Sequence, residues 1–108
     1  MNELEFAQQA AKVFAQIEAA TDNSTADIEC SLNEGVMELE FENGSKIIIN
    51  RHAPNQEIWV AAKSGGFHYA WKDGRWLNTR DGSELFSSLE KLAGEQAGEA
   101  VRFGGQLS

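Results

Sequence analysis

The sequence predicts an α+β fold: a two-layer α/β sandwich whose N- and C-terminal helices pack on one face of an antiparallel sheet of about six strands. Three observations predict it. Apolar residues recur at helical spacing near both ends of the chain. Between those ends, short runs alternate apolar and polar side chains, and turn-forming residues separate the runs. We therefore expect a meander with helices on one face and solvent on the other.

The two helices are predicted from stripes of apolar residues spaced three and four apart. The first helix, in residues 1–20, carries Phe6, Ala10, Val13, Phe14 and Ile17. The second helix, in residues 84–97, carries Leu85, Phe86, Leu89, Leu92, Ala93 and Gln96. Gly98 follows the second stripe, and glycine is the residue that most often ends a helix. Each stripe is expected to face the sheet.

Six strands are expected within residues 27–78, and the Asn43-Gly44 pair sets the register of the second hairpin. A three-residue loop there pairs Leu39 with Ile47 and places Glu40 opposite Lys46. A two-residue loop would turn Lys46 toward the core without a partner, which is costly. The three-residue loop is preferred. The predicted strands cover residues 27–32, 36–41, 45–50, 58–63, 66–71 and 75–78.

Length and composition predict one domain over residues 1–108. Residues 99–108 form a tail in which 101–103 cover the core, and 104–108 are expected to be mobile. The chain has one cysteine and therefore no intrachain disulfide. It contains neither a bilayer-spanning apolar run nor a secretory signal, so no membrane association is expected and the predicted location is cytoplasmic.

The net charge of −8 is concentrated in residues 1–42, which hold ten acidic residues and one basic residue. This distribution disfavours nucleic-acid binding, which needs a basic surface. It favours a cation or a basic protein surface as the partner. Solubility alone is the competing explanation.

No catalytic motif is present, and the chain is predicted not to be an enzyme. Cys30 alternates with Ile28 and Leu32 on the core side of its strand, which favours a small buried apolar role over a nucleophile. His52 is expected in a loop and His68 in a strand, without the spacing of a zinc site. A di-iron oxidase is the least favoured class, because neither predicted helix contains a histidine.

Uncompensated carboxylates are the most informative chemical feature. Glu18 and Asp22 lie four residues apart at the negative end of the first helix, where like charges repel and the dipole is unfavourable. Asp27 and Glu29 follow on the exposed side of the first strand. Charge that protects an edge strand from aggregation is one explanation. The functional alternatives are weak binding of hard cations such as iron, or docking to a basic protein surface.

A second candidate surface lies around Trp59 on the open face of the sheet. With Ile47 and Ile49 turned inward, Asn50 is expected on the same face as Trp59, with Arg51 nearby. An isolated exposed tryptophan is tolerable. The functional reading is a protein-binding hot spot, for which Trp and Arg are favoured residues.

The chain resembles the bacterial frataxin family (CyaY type) along nearly its whole length. The resemblance rests on the acidic first helix, on FENGSKIIIN at 41–50, IWVAAKSGGFHY at 58–69 and a following Trp76, and on EQAG at 95–98. It implies the α–β-meander–α sandwich already expected. It also implies iron binding and a regulatory role in iron–sulfur cluster assembly, with docking on the cysteine desulfurase close to the scaffold protein.

Carried over residue by residue, the resemblance implies a metal-binding surface that we call the acidic ridge, formed by Glu3, Glu18, Asp22, Asp27 and Glu29. It implies a sheet-face contact at Asn50 and Trp59. The expected partner-binding residues are therefore Glu18, Asp22, Asn50, Arg51 and Trp59. Iron, as Fe²⁺ or Fe³⁺, is the expected ligand, bound weakly and exposed, with no organic cofactor. A monomer is expected.

Two functional hypotheses follow. The first is an iron-binding regulator of iron–sulfur cluster assembly. The second is a pure protein-interaction regulator whose acidic residues serve docking, with incidental weak cation binding. Bacterial relatives usually carry a denser acidic run than the EAATDNSTADIEC segment at 18–30 of this chain.

Overall fold

A computed structural model describes residues 1–103 and has two helices on one face of a six-stranded antiparallel sheet, which confirms the predicted fold class. The strands follow in chain order across the sheet, so every neighbouring pair is a hairpin. The elements are α1 (Glu3–Asp22), β1 (Ile28–Asn33), β2 (Val36–Phe41), β3 (Lys46–His52), β4 (Glu57–Ala62), β5 (Gly65–Lys72), β6 (Arg75–Asn78) and α2 (Leu85–Ala97).

Both helices have well-defined ends. The Asn2 side chain accepts a hydrogen bond from the Glu5 amide, and the Glu5 carboxylate accepts one from the Asn2 amide, which makes a capping box at the start of α1. Glu84 lies just before α2 and caps it by accepting from two backbone amides. Gly98 adopts a left-handed conformation (φ 74°) after α2, which glycine reaches without steric strain.

The core lies between the helices and the inner sheet face. Every residue of the two predicted apolar stripes is buried. From the sheet, the largest fully buried side chains are Met37, Leu39, Ile47, Ile49, Ile58, Tyr69 and Trp76. The tail closes the core, since Val101 and Phe103 are both buried as expected. The expectation of mobility for 104–108 concerns residues outside the described part of the chain.

The predicted register of the β2–β3 hairpin is confirmed. Leu39 pairs with Ile47, and Glu40 lies opposite Lys46. Lys46 forms its ion pair with the diagonal neighbour Glu38 and not with Glu40. The Lys46 ammonium lies 3.6 Å from the Glu38 carboxylate. Diagonal neighbours on one sheet face are within reach of a side chain as long as lysine.

Strand β1 is less buried than its alternation indicates. Leu32 has the predicted inward register but is 50% exposed, and Cys30 is only partly buried. Cys30 is therefore less buried than predicted, although its side chain is on the predicted side of the strand. Strand β1 is at the edge of the sheet, with a neighbour on one side only, so its inward side chains receive less cover than those of central strands.

Gln96 joins α2 to two turns of the sheet. Its side-chain amide donates to the Ser45 hydroxyl (3.0 Å) and to the Lys46 carbonyl (3.2 Å). Its side-chain oxygen accepts from the Lys63 amide (3.1 Å). Its backbone carbonyl accepts from the Asn43 side chain (2.8 Å). The helix end is thus held to both the β2–β3 and the β4–β5 connections.

Replacing Gln96 by leucine is expected to lower the free energy of unfolding by about 2 kcal/mol, because the volume is kept while polar groups lose partners at a buried site. Urea unfolding followed by circular dichroism measures it. Glu95→Leu, at the exposed neighbouring position, is the matched control and is expected to change stability by less than about 0.5 kcal/mol. Equal effects at the two positions would contradict a specific role for Gln96.

No helix within residues 1–103 is both long enough and apolar enough to cross a membrane.

Candidate functional site

Two ridge residues lie in the last turns of α1. Glu18 and Asp22 are both exposed, and the last turn of the helix contains no basic residue. None of the ion pairs formed within residues 1–103 involves either carboxylate. The partial negative charge of the helix end therefore adds to two uncompensated carboxylates. This end of α1 is suited to a cation.

The edge of the sheet adds further acids. Asp27 is exposed just before β1, and Glu29 points to the outer face of that strand. Glu29 lies directly across from Glu40 on β2, so two like charges are opposed on the outer face. Lys46 lies opposite Glu40 on its other side, so Glu29 is the less compensated of the two acids.

The fifth ridge residue is set apart. Glu3 is exposed in the first turn of α1, about 22 Å along the helix axis from Glu18 at the usual rise per residue. A single ion therefore cannot be held by both. Glu18, Asp22, Asp27 and Glu29 are close together in the sequence, between the last turns of α1 and the start of β1, and we call them the dense end of the ridge. Glu3 is a separate acid at the start of the helix.

The dense end is a surface of separate ligands rather than a closed cage. Within residues 1–103, no group of three or more His, Cys, Asp or Glu side chains is placed to hold one metal ion. Carboxylate oxygens suit hard cations, and an ion bound by one or two of them keeps most of its water ligands. The arrangement is compatible with weak, exchangeable cation binding.

Cys30 lies on the edge strand β1, close to Thr21, Glu18 and Asp22 of α1. Partial burial raises the pKa of the Cys30 thiol, and the hydrogen bond with Thr21 offsets part of this rise. The nearby carboxylates of Glu18 and Asp22 raise the pKa of the Cys30 thiol further. The thiol is therefore disfavoured as a thiolate, which argues against a nucleophilic role.

Trp59 has a different environment from the one expected. Its indole is stacked between the imidazoles of His52, at 3.9 Å between ring centroids, and His68, at 4.4 Å. The planes are nearly parallel, at 9° and 8°. We call His52, Trp59 and His68 the ring stack. His52 belongs to β3 rather than to a loop, which corrects its predicted position.

Cross-strand register builds the ring stack. Asn50, Trp59 and His68 are directly opposite one another on β3, β4 and β5, and His52 is two residues beyond Asn50. Neighbouring strands lie about 4.8 Å apart, close to the separations between the rings. Parallel rings stacked along this direction stand upright on the sheet. Trp59 therefore presents its edge to solvent, while both faces of the indole are covered.

The Glu57 carboxylate contacts two members of the ring stack, Trp59 and His68. Its carboxylate accepts a hydrogen bond from the Trp59 indole nitrogen (2.8 Å) and lies 3.8 Å from Nδ1 of His68. The Glu57 side chain is only 18% exposed. These two contacts therefore restrict the orientations of the Trp59 and His68 rings, which the stacking restricts as well.

Asn50 is placed beside Trp59 as predicted, but Arg51 is not. The side chain of Arg51 lies on the opposite side of β3 and packs over Gly35 in the β1–β2 turn, where a Cβ on Gly35 would lie 3.0 Å from Arg51 Nε. Successive residues of a strand point to opposite faces, which explains the separation. The interpretation of Arg51 as part of the same surface as Trp59 is therefore not supported by the geometry.

Comparison with protein families agrees with this architecture. A family model described as a frataxin-like domain matches residues 1–99. The chain belongs to the frataxin family. Among bacterial frataxins, it is 54% identical over 92 residues to the iron-sulfur cluster assembly protein CyaY of Cupriavidus taiwanensis, covering 85% of this chain and 83% of that protein. It is 50% identical over 106 residues to the protein of the same name from Janthinobacterium, covering 94% and 95%.

Solved frataxin structures share the fold. Frataxin from Psychromonas ingrahamii superposes with a TM-score of 0.89 at 37% identity, covering 95% of this chain and 98% of that one. Trimeric yeast frataxin from Saccharomyces cerevisiae, solved complexed with ferrous, superposes with a TM-score of 0.60 at 25% identity and covers 92% and 88%.

Proposed function

We propose that this frataxin is an iron-binding regulatory protein of iron–sulfur cluster assembly, without catalysis of its own. It acts as a cytoplasmic monomer that docks on the cysteine desulfurase and the scaffold protein. The observation that carries the proposal is the exposed Glu18–Asp22 pair at the negative end of α1, with no basic residue in the last turn. Such a pair reduces the stability of the free protein and is compensated only by a cation or a basic partner.

Three further observations support this role. The bacterial relatives are named iron-sulfur cluster assembly proteins, and a yeast relative was solved complexed with ferrous. The dense end of the ridge offers hard oxygen ligands, which suit Fe²⁺ and Fe³⁺. Since these ligands are exposed and form no three-residue cluster within residues 1–103, iron is proposed to bind weakly and to remain exchangeable.

Anaerobic addition of Fe²⁺ is expected to broaden the amide NMR signals of Glu18, Asp22 and Asp27 before those of the sheet. The paramagnetic ion acts only at short range, so the earliest signals mark its position. Glu3 is expected to respond separately, because its carboxylate cannot share the ion bound near Glu18. Earliest broadening in β5 or β6 would show that the metal assignment is wrong.

A double variant that keeps the shape of the ridge sharpens this test. Glu18→Gln with Asp22→Asn is expected to weaken Fe²⁺ binding at least about tenfold, since it removes the charge but keeps side-chain size. Glu34→Gln with Glu95→Gln removes the same charge from exposed positions outside the ridge and is the matched control. A similar loss in both variants would mean that only net charge attracts the ion.

The alternative is a pure protein-interaction regulator in which weak cation binding is incidental. The separation of the ridge ligands is the observation that favours it, because the affinity for any single ion is limited. A cluster-assembly assay with the desulfurase and scaffold, with and without this protein over a range of iron concentrations, separates the two. An effect of the protein that depends on iron supports the first role, and an effect independent of iron supports the alternative.

A further inference from the structure

The loop between α1 and β1 joins two parts of the acidic ridge. Glu18 and Asp22 lie in the last turns of α1, and Asp27 lies just before β1. Residues 23–26 lie between them. The place of Asp27 relative to the helix end therefore depends on how this loop is held.

Most hydrogen bonds of residues 23–26 are local. The Asn23 side chain donates to a carbonyl of α1 (2.9 Å), and the Ala26 amide donates to the Ser24 hydroxyl (3.0 Å). Within residues 1–103, the one hydrogen bond from this loop to a distant segment runs from the Thr25 hydroxyl to the Glu99 carboxylate, at 2.9 Å. Glu99 follows the end of α2, so this contact joins the loop to the other end of the chain.

The segment that carries Glu99 is itself fixed. Val101 and Phe103 are buried in the core. The Phe103 amide donates to the Glu90 carboxylate of α2 (2.8 Å), and the Phe103 carbonyl accepts from the Gln16 side chain of α1 (2.8 Å). Glu99 is therefore presented to the loop from a segment that is tied to both helices.

Asp27 and Glu99 line the same groove, together with Glu42. No basic residue lines this groove, so its three carboxylates repel one another. Electrostatic attraction among these acids therefore cannot hold the loop in place. The Thr25 hydroxyl gives Glu99 a favourable contact with the loop, and a hydrogen bond to a charged acceptor is among the stronger ones.

We infer that Glu99 is a positioning residue of the acidic ridge. It acts through Thr25, whose hydrogen bond to Glu99 holds Asp27 in one place relative to the end of α1. A ligand that is already held loses less conformational entropy when an ion binds. The inference rests on the proposed function and deepens it, because a residue outside the ridge sets the strength of cation binding at Asp27.

Hydrogen exchange on the metal-free full chain tests the contact first. Thr25→Val keeps the shape of the side chain and removes the donor, so the Ala26 amide is expected to exchange at least about threefold faster. Thr25→Ser keeps a hydroxyl and is expected to exchange like the parent. Thr79→Val makes the same substitution at another exposed threonine and is the matched control, with no expected change.

Variants of Glu99 separate the hydrogen bond from the charge. Glu99→Gln keeps an acceptor for the Thr25 hydroxyl, and exchange of the Ala26 amide is expected to stay near that of the parent. Glu99→Ala removes the acceptor and is expected to act like Thr25→Val. The double variant Thr25→Val with Glu99→Ala is expected to exchange no faster than either single variant, because both substitutions remove the same contact.

Anaerobic titration with Fe²⁺, followed by amide NMR, then measures the effect on the ridge. In Thr25→Val, the Fe²⁺ concentration that broadens the Asp27 signal by half is expected to rise at least about threefold. The concentrations for Glu18 and Asp22 are expected to change by less than about 1.5-fold, since these residues are held by the helix.

Three results would overturn the inference: parent-like exchange in Thr25→Val, additive effects in the double variant, or an equal loss of Fe²⁺ binding at Glu18 and Asp27. The proposed function fails separately, if Fe²⁺ leaves the ridge signals of the parent unchanged. The exchange measurements contain no metal, so they decide whether the Thr25–Glu99 contact holds the loop in either case.

Discussion

Replacing Trp76 by alanine is expected to lower the free energy of unfolding by about 4 kcal/mol. The Trp76 side chain is fully buried on β6, and its ring meets Phe6 of α1 at 6.0 Å and Trp71 of β5 at 5.3 Å between centroids, both edge to face. Alanine removes these contacts and leaves a cavity where the first helix meets the last strands. Since domains of this size are stable by about 5–15 kcal/mol, the loss is a large fraction of the total.

Urea unfolding followed by far-ultraviolet circular dichroism measures this loss, because tryptophan fluorescence is altered by the substitution itself. Leu4→Ala, at a 67% exposed position on the same helix as Phe6, is the control and is expected to cost less than about 0.5 kcal/mol. Trp76→Phe keeps an aromatic ring and is expected to lose about half as much as alanine. An alanine variant as stable as the Leu4 control would contradict the central role of Trp76.

Reversing the charges of Glu18 and Asp22 to lysine is expected to weaken binding to the cysteine desulfurase at least about a hundredfold. Each reversal replaces an attraction to a basic surface by a repulsion, and two such changes together amount to about 3 kcal/mol. Titration calorimetry with the purified desulfurase measures the affinity. The parent affinity is also expected to fall as salt is raised, because the groups are exposed and screened.

The matched control for this reversal is Glu34→Lys with Glu95→Lys, which makes the same change in net charge at exposed positions elsewhere. An equal loss of binding in the control would locate the effect in overall charge rather than in the ridge. Repeating the titration with Fe²⁺ separates the two functional hypotheses. The iron-binding role predicts an affinity that changes with iron, whereas the pure interaction role predicts the same affinity with and without it.

The register of the sheet was predictable where turn chemistry is local. Asn43-Gly44 marked the turn, and the cost of burying Lys46 without a partner indicated the three-residue loop, from which the pairing of Leu39 with Ile47 follows. The position of His68 opposite Trp59 follows in the same way from the two-residue turn after Ala62, which pairs with Gly65. The ring stack is therefore predictable in part from the length of this turn.

Other features depend on more than one strand. His52 reaches the indole only because β3 continues two residues beyond its predicted end, across a connection that contains Pro54 and has no simple turn signature. The exposure of Leu32 follows from the edge position of β1 rather than from its alternation pattern. The ridge residues were identifiable as unpaired charges on a helix end and an edge strand, but the distance of Glu3 from the others became clear only with the helix in place.

The contact between α1 and the tail has a consequence for synthesis of the chain. The Gln16 side chain donates to the Phe103 carbonyl at 2.8 Å, and Phe6 packs on Trp76, so α1 is covered in part by segments that are synthesised well after it. The hairpins between them join neighbouring segments and can pair as they emerge. The contacts of α1 with Trp76 and Phe103 cannot form until those later segments have been made. The nascent chain therefore carries an amphipathic helix whose cover is incomplete until β6 and the segment ending at Phe103 have emerged.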